Sequence, residues 1–137
     1  MTLFEAKLSY LKESEKGDFK RVTETDIVEA FTFSECETIL NEECGVKNLK
    51  DPFIKSMKPI SVSEIFRDAL GDGETWYRVK VVLIDPETEK GTKQVMYVQA
   101  NSMDDANYRL KQNMKDTIVD WESTEIKKTD VYEIILK

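Results

Sequence analysis

The sequence contains no histidine. That absence excludes every catalytic arrangement in which an imidazole deprotonates a serine, a cysteine or a water. Cysteine is nearly as scarce, with only Cys36 and Cys44. Both fall in a stretch that reads as one helix, which places them about 12 Å apart along its axis, too far for a disulfide. Two thiols also fall short of a four-ligand zinc site, and both read as small core side chains. The five glycines, Gly17, Gly45, Gly71, Gly73 and Gly91, stand at expected turns or caps, so no glycine-rich phosphate loop is present. The acidic segment Gly71–Glu74 lacks the ligand spacing of a calcium loop. No apolar run approaches the roughly 18 residues of a membrane span, and the opening residues are no signal peptide. Together these features imply no cofactor, no metal and no membrane, and they predict a cytoplasmic protein.

What is present is charge. Acids outnumber bases 27 to 20, a formal net charge of -7. A chain of that sign is poorly suited to nonspecific duplex DNA, where affinity comes from neutralising phosphates. With 40% hydrophobic residues in 137, the composition is that of a globular domain able to fold without metal or disulfide staples.

Self-similarity organises the rest. Thr2–Leu11 lies over Thr75–Ile84 with Thr2/Thr75 and Lys7/Lys80 identical and Phe4/Tyr77, Ala6/Val79, Leu8/Val81 and Tyr10/Leu83 apolar in both. Val28–Leu40 lies over Val98–Leu110, with Val28/Val98, Ala30/Ala100 and Leu40/Leu110 identical. Met57–Phe66 lies over Ile126–Ile135, where Lys58/Lys127, Val62/Val131, Glu64/Glu133 and Ile65/Ile134 match. The offset falls from 73 to 70 to 69, and it changes only between segments, so the length differences sit in loops.

Each copy reads as β-β-α-β. A strand at about 3–11 (76–85) alternates, with Phe4, Ala6, Leu8 and Tyr10 on one side and Glu5, Lys7 and Ser9 on the other. A charged turn carrying Gly17 or Gly91 leads to a second strand, Val22–Ala30 or Thr92–Ala100. Thr32-x-x-Glu35 and Ser102-x-x-Asp105 then mark helix starts. Phe33, Cys36, Leu40 and Cys44 form one helical face, matched by Met103, Ala106, Leu110 and Met114. Gly45 is the expected helix end. A third strand follows near 53–60 and 121–128, and Pro59 assigns the first of these to a sheet edge or a break. Short apolar pieces follow at Val62–Phe66 and Val131–Leu136, and Arg67–Thr75 reads as the linker. The expectation is an α+β fold with repeats at 1–70 and 71–137. Two small antiparallel sheets, each with its helix on one face, would be related by a pseudo-twofold.

One chemical pattern stands out because it is duplicated. Lys7 and Lys80, and Lys58 and Lys127, are aligned between the copies and fall on the polar side of their strands, with Arg78 beside Lys80. Such a strip could follow a phosphate backbone, while Trp76 and Tyr77 at the head of a strand could stack a base. The candidate nucleic-acid-binding residues are therefore Lys7, Lys58, Trp76, Arg78, Lys80 and Lys127. The plain alternative is that lysine is a common outward residue on any amphipathic strand.

The segments Leu3–Leu8, Val22–Glu24, Val28–Glu35, Val62–Phe66, Trp76–Val81 and Tyr97–Ala100, taken in order, resemble the family known as domain of unknown function 4494. The resemblance spans nearly the whole chain. It implies an origin in gut bacteria or their tailed phages, and it carries no catalytic residues with it. The function expected is a non-catalytic module binding single-stranded nucleic acid in phage or mobile-element DNA metabolism. The alternative is a protein-protein adaptor or assembly factor that docks through open sheet edges. An acidic mimic of nucleic acid is a third, weaker reading.

Overall fold

Each half of the chain runs strand, strand, helix, strand and short strand, in a computed structural model that describes residues 1–68 and 75–137. The expected linker glycines Gly71 and Gly73, and the acidic Gly71–Glu74 segment, lie outside the described residues. The first half holds β1 (Thr2–Glu13), β2 (Phe19–Ala30), α1 (Phe33–Val46), β3 (Lys50–Ile60) and β4 (Glu64–Phe66). The second holds β5 (Thr75–Ile84), β6 (Gly91–Ala100), α2 (Met103–Met114), β7 (Asp120–Lys128) and β8 (Val131–Ile135). The same element order twice over makes this an internally duplicated α+β protein.

Two four-stranded sheets result, in the orders β3-β1-β2-β8 and β4-β6-β5-β7. Three strands of each are antiparallel, as expected. The fourth adds in parallel, β8 beside β2 and β4 beside β6, so both sheets are mixed. That fourth strand comes from the other repeat. The compact units are accordingly Met1–Ser61 with Val131–Lys137, and Val62–Asp130, whereas the sequence repeats divide near residue 70.

Connection length explains the exchange. β2 and β3 are both antiparallel to β1, so they run parallel to each other. For β4 to lie parallel on the free edge of β2 in its own sheet, the chain would have to return the length of β3 and cross two strands. Parallel connections of that kind need about a dozen residues or more. Only Ser61–Ser63 separate β3 from β4, and only Thr129 and Asp130 separate β7 from β8.

The cores follow the alternation. In the first unit Phe4, Ala6, Val28, Ala30, Cys36 and Leu40 form one buried cluster. In the second, Val79, Val81, Met96, Val98, Leu110 and Met114 form its counterpart, with Tyr77, Ala100 and Ala106 beside it. The helical stripes are therefore inward-facing from Cys36 and Ala106 onward. Their first members differ from expectation: Phe33 and Met103 are about half exposed. They occupy the first turn, where Phe33 makes a tilted contact with Phe4, centroids 4.8 Å apart.

Local chemistry sets the element ends. Thr32 Oγ1 accepts from the Glu35 N–H and Ser102 Oγ from the Asp105 N–H, both at 3.1 Å. The reciprocal carboxylate bonds reach one residue further back than a capping box requires, to the N–H groups of Phe31 and Asn101. Gly45 does not end α1; it lies inside the helix, which closes at Lys47, and Asn48 takes the left-handed turn with φ 53°. Gly17 does adopt φ 85° in its hairpin. Gly91 is needed for space, since a Cβ there would stand 2.5 Å from Val82 Cγ1. β3, with Pro52 and Pro59, is an edge strand, where the missing proline donors are tolerated.

Cys36 and Cys44 are free and buried, and their counterparts are Ala106 and Met114. Cys36→Ala and Cys44→Met are expected to cost no more than about 1–3 kcal/mol in chemical denaturation. Leu40→Ala, which empties a fully buried site, is expected to cost about 2–5 kcal/mol. A Cys36→Ala penalty larger than that of Leu40→Ala would show that the thiol does more than fill space.

Candidate functional site

The duplicated basic residues do not share one environment. Lys7 is exposed and has no ion pair among the described residues, while Lys58 stands 3.9 Å from Glu5 with most of its side chain in solvent. In the second unit Lys80 pairs with Glu125 at 3.6 Å. Lys127 is exposed, and its register partner Arg78 is half-buried with Nε lacking a hydrogen-bond partner. Trp76 is only 2% exposed and offers no face to a base. The chain following β4 runs over it: Arg67 lies 5.7 Å from the ring centroid, and the Asp68 N–H donates to Oε1 of Gln99, the register neighbour of Trp76. Tyr77 is likewise buried, in the core.

Exposed aromatics lie instead on the face of the first sheet that carries Lys7. Alternation along β1 places Lys7, Ser9 and Leu11 together on the side opposite the helix core. Arg21 Nη1 donates to Ser9 Oγ at 3.0 Å, and Lys55 Nζ reaches Thr23 Oγ1 at 3.5 Å, which puts these β2 and β3 side chains on the same face. Phe53 (49% exposed) lies beneath the Arg21 guanidinium at 4.9 Å, and Phe19 (48% exposed) beneath Lys50 Nζ at 3.6 Å. Asp51 Oδ2 anchors Arg21 at 2.5 Å. The result is a basic strip of Lys7, Arg21, Lys50 and Lys55 interleaved with two exposed rings.

Phe19, Arg21, Lys50, Phe53 and Lys55 are thus additions to the residues expected from sequence. Phe19 falls at the end of the charged turn when the strand is taken to start at Val22. The register shifts between Ser9 and Leu11 along β3, and with Asp51 at φ 48° they make the facing of Lys50–Phe53 unreadable from a period of two. The available signal was composition: Phe19-Lys-Arg21 and Lys50-Asp-Pro-Phe53 interleave cations with aromatics.

A second constellation lies inside the first unit. Glu24 and Asp26 stand at alternate positions of β2 in line with core residues Val28 and Ala30, and both are buried. Glu24 Oε1 accepts from the Tyr10 hydroxyl at 3.3 Å. Lys47 Nζ, at the end of α1, is 4.0 Å from Glu24 Oε2 and 2.6 Å from Glu133 Oε2 of β8. Asp26 Oδ1 and Glu24 Oε2 have no hydrogen-bond donor among the described residues. Burial, then the hydrogen bond and charge of Glu24, push the Asp26 carboxyl up to about 8. Burial, followed by Glu24, also raises the Tyr10 hydroxyl and the Cys44 thiol, and burial alone raises Cys36. At neutral pH the thiols are therefore protonated and poor nucleophiles. For Lys47 burial acts downward, but Glu133, Glu24 and Asp26 outweigh it and the ammonium is held more firmly. In the second unit the equivalent positions are Leu83, Gln94, Met96 and Met114, so the fold forms without this cluster.

Among the described residues no group of three or more cysteine, aspartate or glutamate side chains is placed to hold a metal ion. No described helix is long and apolar enough to cross a membrane. Fold and surface together define a duplicated α+β protein with two four-stranded mixed sheets. A family model matches residues 2–137, and the chain belongs to that family, domain of unknown function DUF4494. The chain matches no curated protein and no solved structure at a significant level.

The Asp26 shift has a signed consequence for stability. Its folded value, about 8, lies above the ordinary 3.8, so the folded state binds the extra proton in between. The contribution is full below about pH 4 and is lost as pH rises through about 8, with a slope of at most about 1.4 kcal/mol per pH unit. In thermal or urea unfolding, Asp26→Asn is expected to remove that slope. Parallel stability curves for the two proteins across this range would contradict the assignment.

Proposed function

We propose that this protein is a non-catalytic module that binds single-stranded nucleic acid along the Lys7 face of its first sheet. The observation that carries the reading is the pair of half-exposed phenylalanines, Phe19 and Phe53, each with a cation over its ring. Phe19 beside Lys50 supplies a stacking surface and a phosphate partner at one place, Phe53 adds a second ring beneath an Arg21 already paired with Asp51, and base stacking needs no particular sequence. Duplex bases are already stacked and cannot use such rings, and the net charge of -7 disfavours the purely electrostatic binding that duplex would require. Lys7 and Lys55 extend the strip. Lys80 is partly neutralised by Glu125 and Trp76 is covered, so the second sheet contributes less. The setting that fits is phage or mobile-element DNA metabolism in the cytoplasm.

The test is a titration of labelled single-stranded and duplex oligonucleotides followed by fluorescence anisotropy. Single strands are expected to bind more tightly, with affinity falling at a log-log slope of about -0.7 for each phosphate neutralised. Phe19→Ala and Phe53→Ala are each expected to cost about 1–3 kcal/mol of binding. Lys7→Glu is expected to weaken binding without unfolding the chain, and Lys80→Glu to change it little. A flat titration at about 50 mM salt, or losses confined to Lys80→Glu, would overturn the reading. A flat titration together with a protein partner recovered by pull-down would instead favour the adaptor.

A further inference from the structure

We propose that the buried Glu24–Asp26 pair is a proton-operated latch on the C-terminal strand β8: a proton shared between the two carboxyl groups keeps β8 zipped to β2, and its loss loosens the strand. The inference stands on the geometry of the first unit and does not depend on the nucleic-acid reading.

Two ionised carboxylates are acceptors only, and here each has a buried oxygen without a donor, Glu24 Oε2 and Asp26 Oδ1. The two side chains stand two residues apart on the inner face of β2, both buried. A single proton turns one carboxyl group into the donor that the other lacks, satisfying the pair with no further residue. Charged and titratable neighbours from three elements converge on this point. Tyr10 comes from β1, Cys44 and Lys47 from α1 and its end, and Glu133 from β8, while Tyr132 of β8 lies under Lys47 at 5.4 Å. With the proton in place, one cation faces two carboxylates. With it lost, Lys47 faces three, and the excess negative charge falls between β2 and Glu133.

β8 is the element built to respond. It has five residues, lies at the edge of its sheet beside β2, and its ladder is interrupted between Thr25 and Asp26, directly at the acid. Beyond Lys47, its end is tied by the Lys137 N–H to Glu29 and by the Lys137 ammonium to Glu35. Exposed pairs of that kind contribute little. Val131 and Ile134 are buried and help to hold the strand, so proton loss shifts an equilibrium and does not abolish the strand outright. The second repeat serves as an internal control. Gln94 and Met96 occupy the same places beside β4, so the pairing itself needs no acid there.

Hydrogen exchange on the full chain tests the latch, with amide protection of residues 133–135 corrected for the intrinsic pH dependence of exchange. Between about pH 6 and about pH 9.5 the wild-type strand is expected to lose about tenfold or more in protection, the equivalent of one displaced proton. The β5–β6 ladder should change far less. In Asp26→Asn the loss should vanish, and Glu24→Gln serves the same purpose if that variant does not fold. Unchanged wild-type protection, or an equal loss in a variant that cannot ionise, would overturn the proposal. Carbon-13 titration of the Asp26 carboxyl needs no variant at all. A midpoint well above the ordinary carboxylate range supports the latch, and one within that range overturns it.

Discussion

The constraint on which this structure depends is the shortness of two connections. Three residues after β3 and two after β7 cannot carry the chain back to a parallel position in its own sheet. Each repeat therefore builds three strands and a helix, and its last strand completes the sheet of the other repeat. Neither half of the sequence holds a complete four-stranded sheet. The 137-residue chain is consequently one folding problem, although its repeats look separable on paper.

Duplication also separates what the fold needs from what it carries in addition. Leu40 and Leu110, or Val28 and Val98, are buried at equivalent positions and are explained by packing alone. Asp26 and Met96 are equivalent too, yet one is an ionisable group with an unsatisfied oxygen and the other a plain core side chain. Because the second unit packs a methionine at that position, the acid is surplus to folding and costs desolvation. The same comparison separates Lys7, which has no acid partner among the described residues, from Lys80, which faces Glu125. Where sister residues agree, the cause is architecture; where they differ in chemistry, the difference belongs to one unit alone.

Local rules were legible in the sequence wherever the period was unbroken. Alternation identified Phe4, Ala6 and Leu8 as core, helical spacing identified Cys36, Leu40 and Cys44, and Pro59 allowed an edge or a break, of which the edge is found. What periodicity cannot supply is the identity of a strand's partner, and so the destinations of β4 and β8 were not legible. Trp76 shows the same limit on a single residue. It shares a strand face with Arg78 and Lys80, which reads as outward, yet the Arg67–Asp68 segment covers it. Phe53 was hidden by a register shift, and Phe19 by strand ends that extend three residues past the alternating core. Glu24 and Asp26 were in plain view, in phase with Val28 and Ala30, but a chain with 27 acids makes any one acidic pair look like solvated surface.

The exchange of terminal strands can be observed directly from through-space contacts in the nuclear magnetic resonance spectrum of the isotopically labelled chain. The account predicts cross-strand contacts of β8 with β2, at Ile134 to Ile27 and Ile135 to Val28, and of β4 with β6, at Ile65 to Tyr97. Contacts that instead place residues 64–66 beside β2, or 131–135 beside β6, would show that each repeat closes its own sheet and would contradict the account.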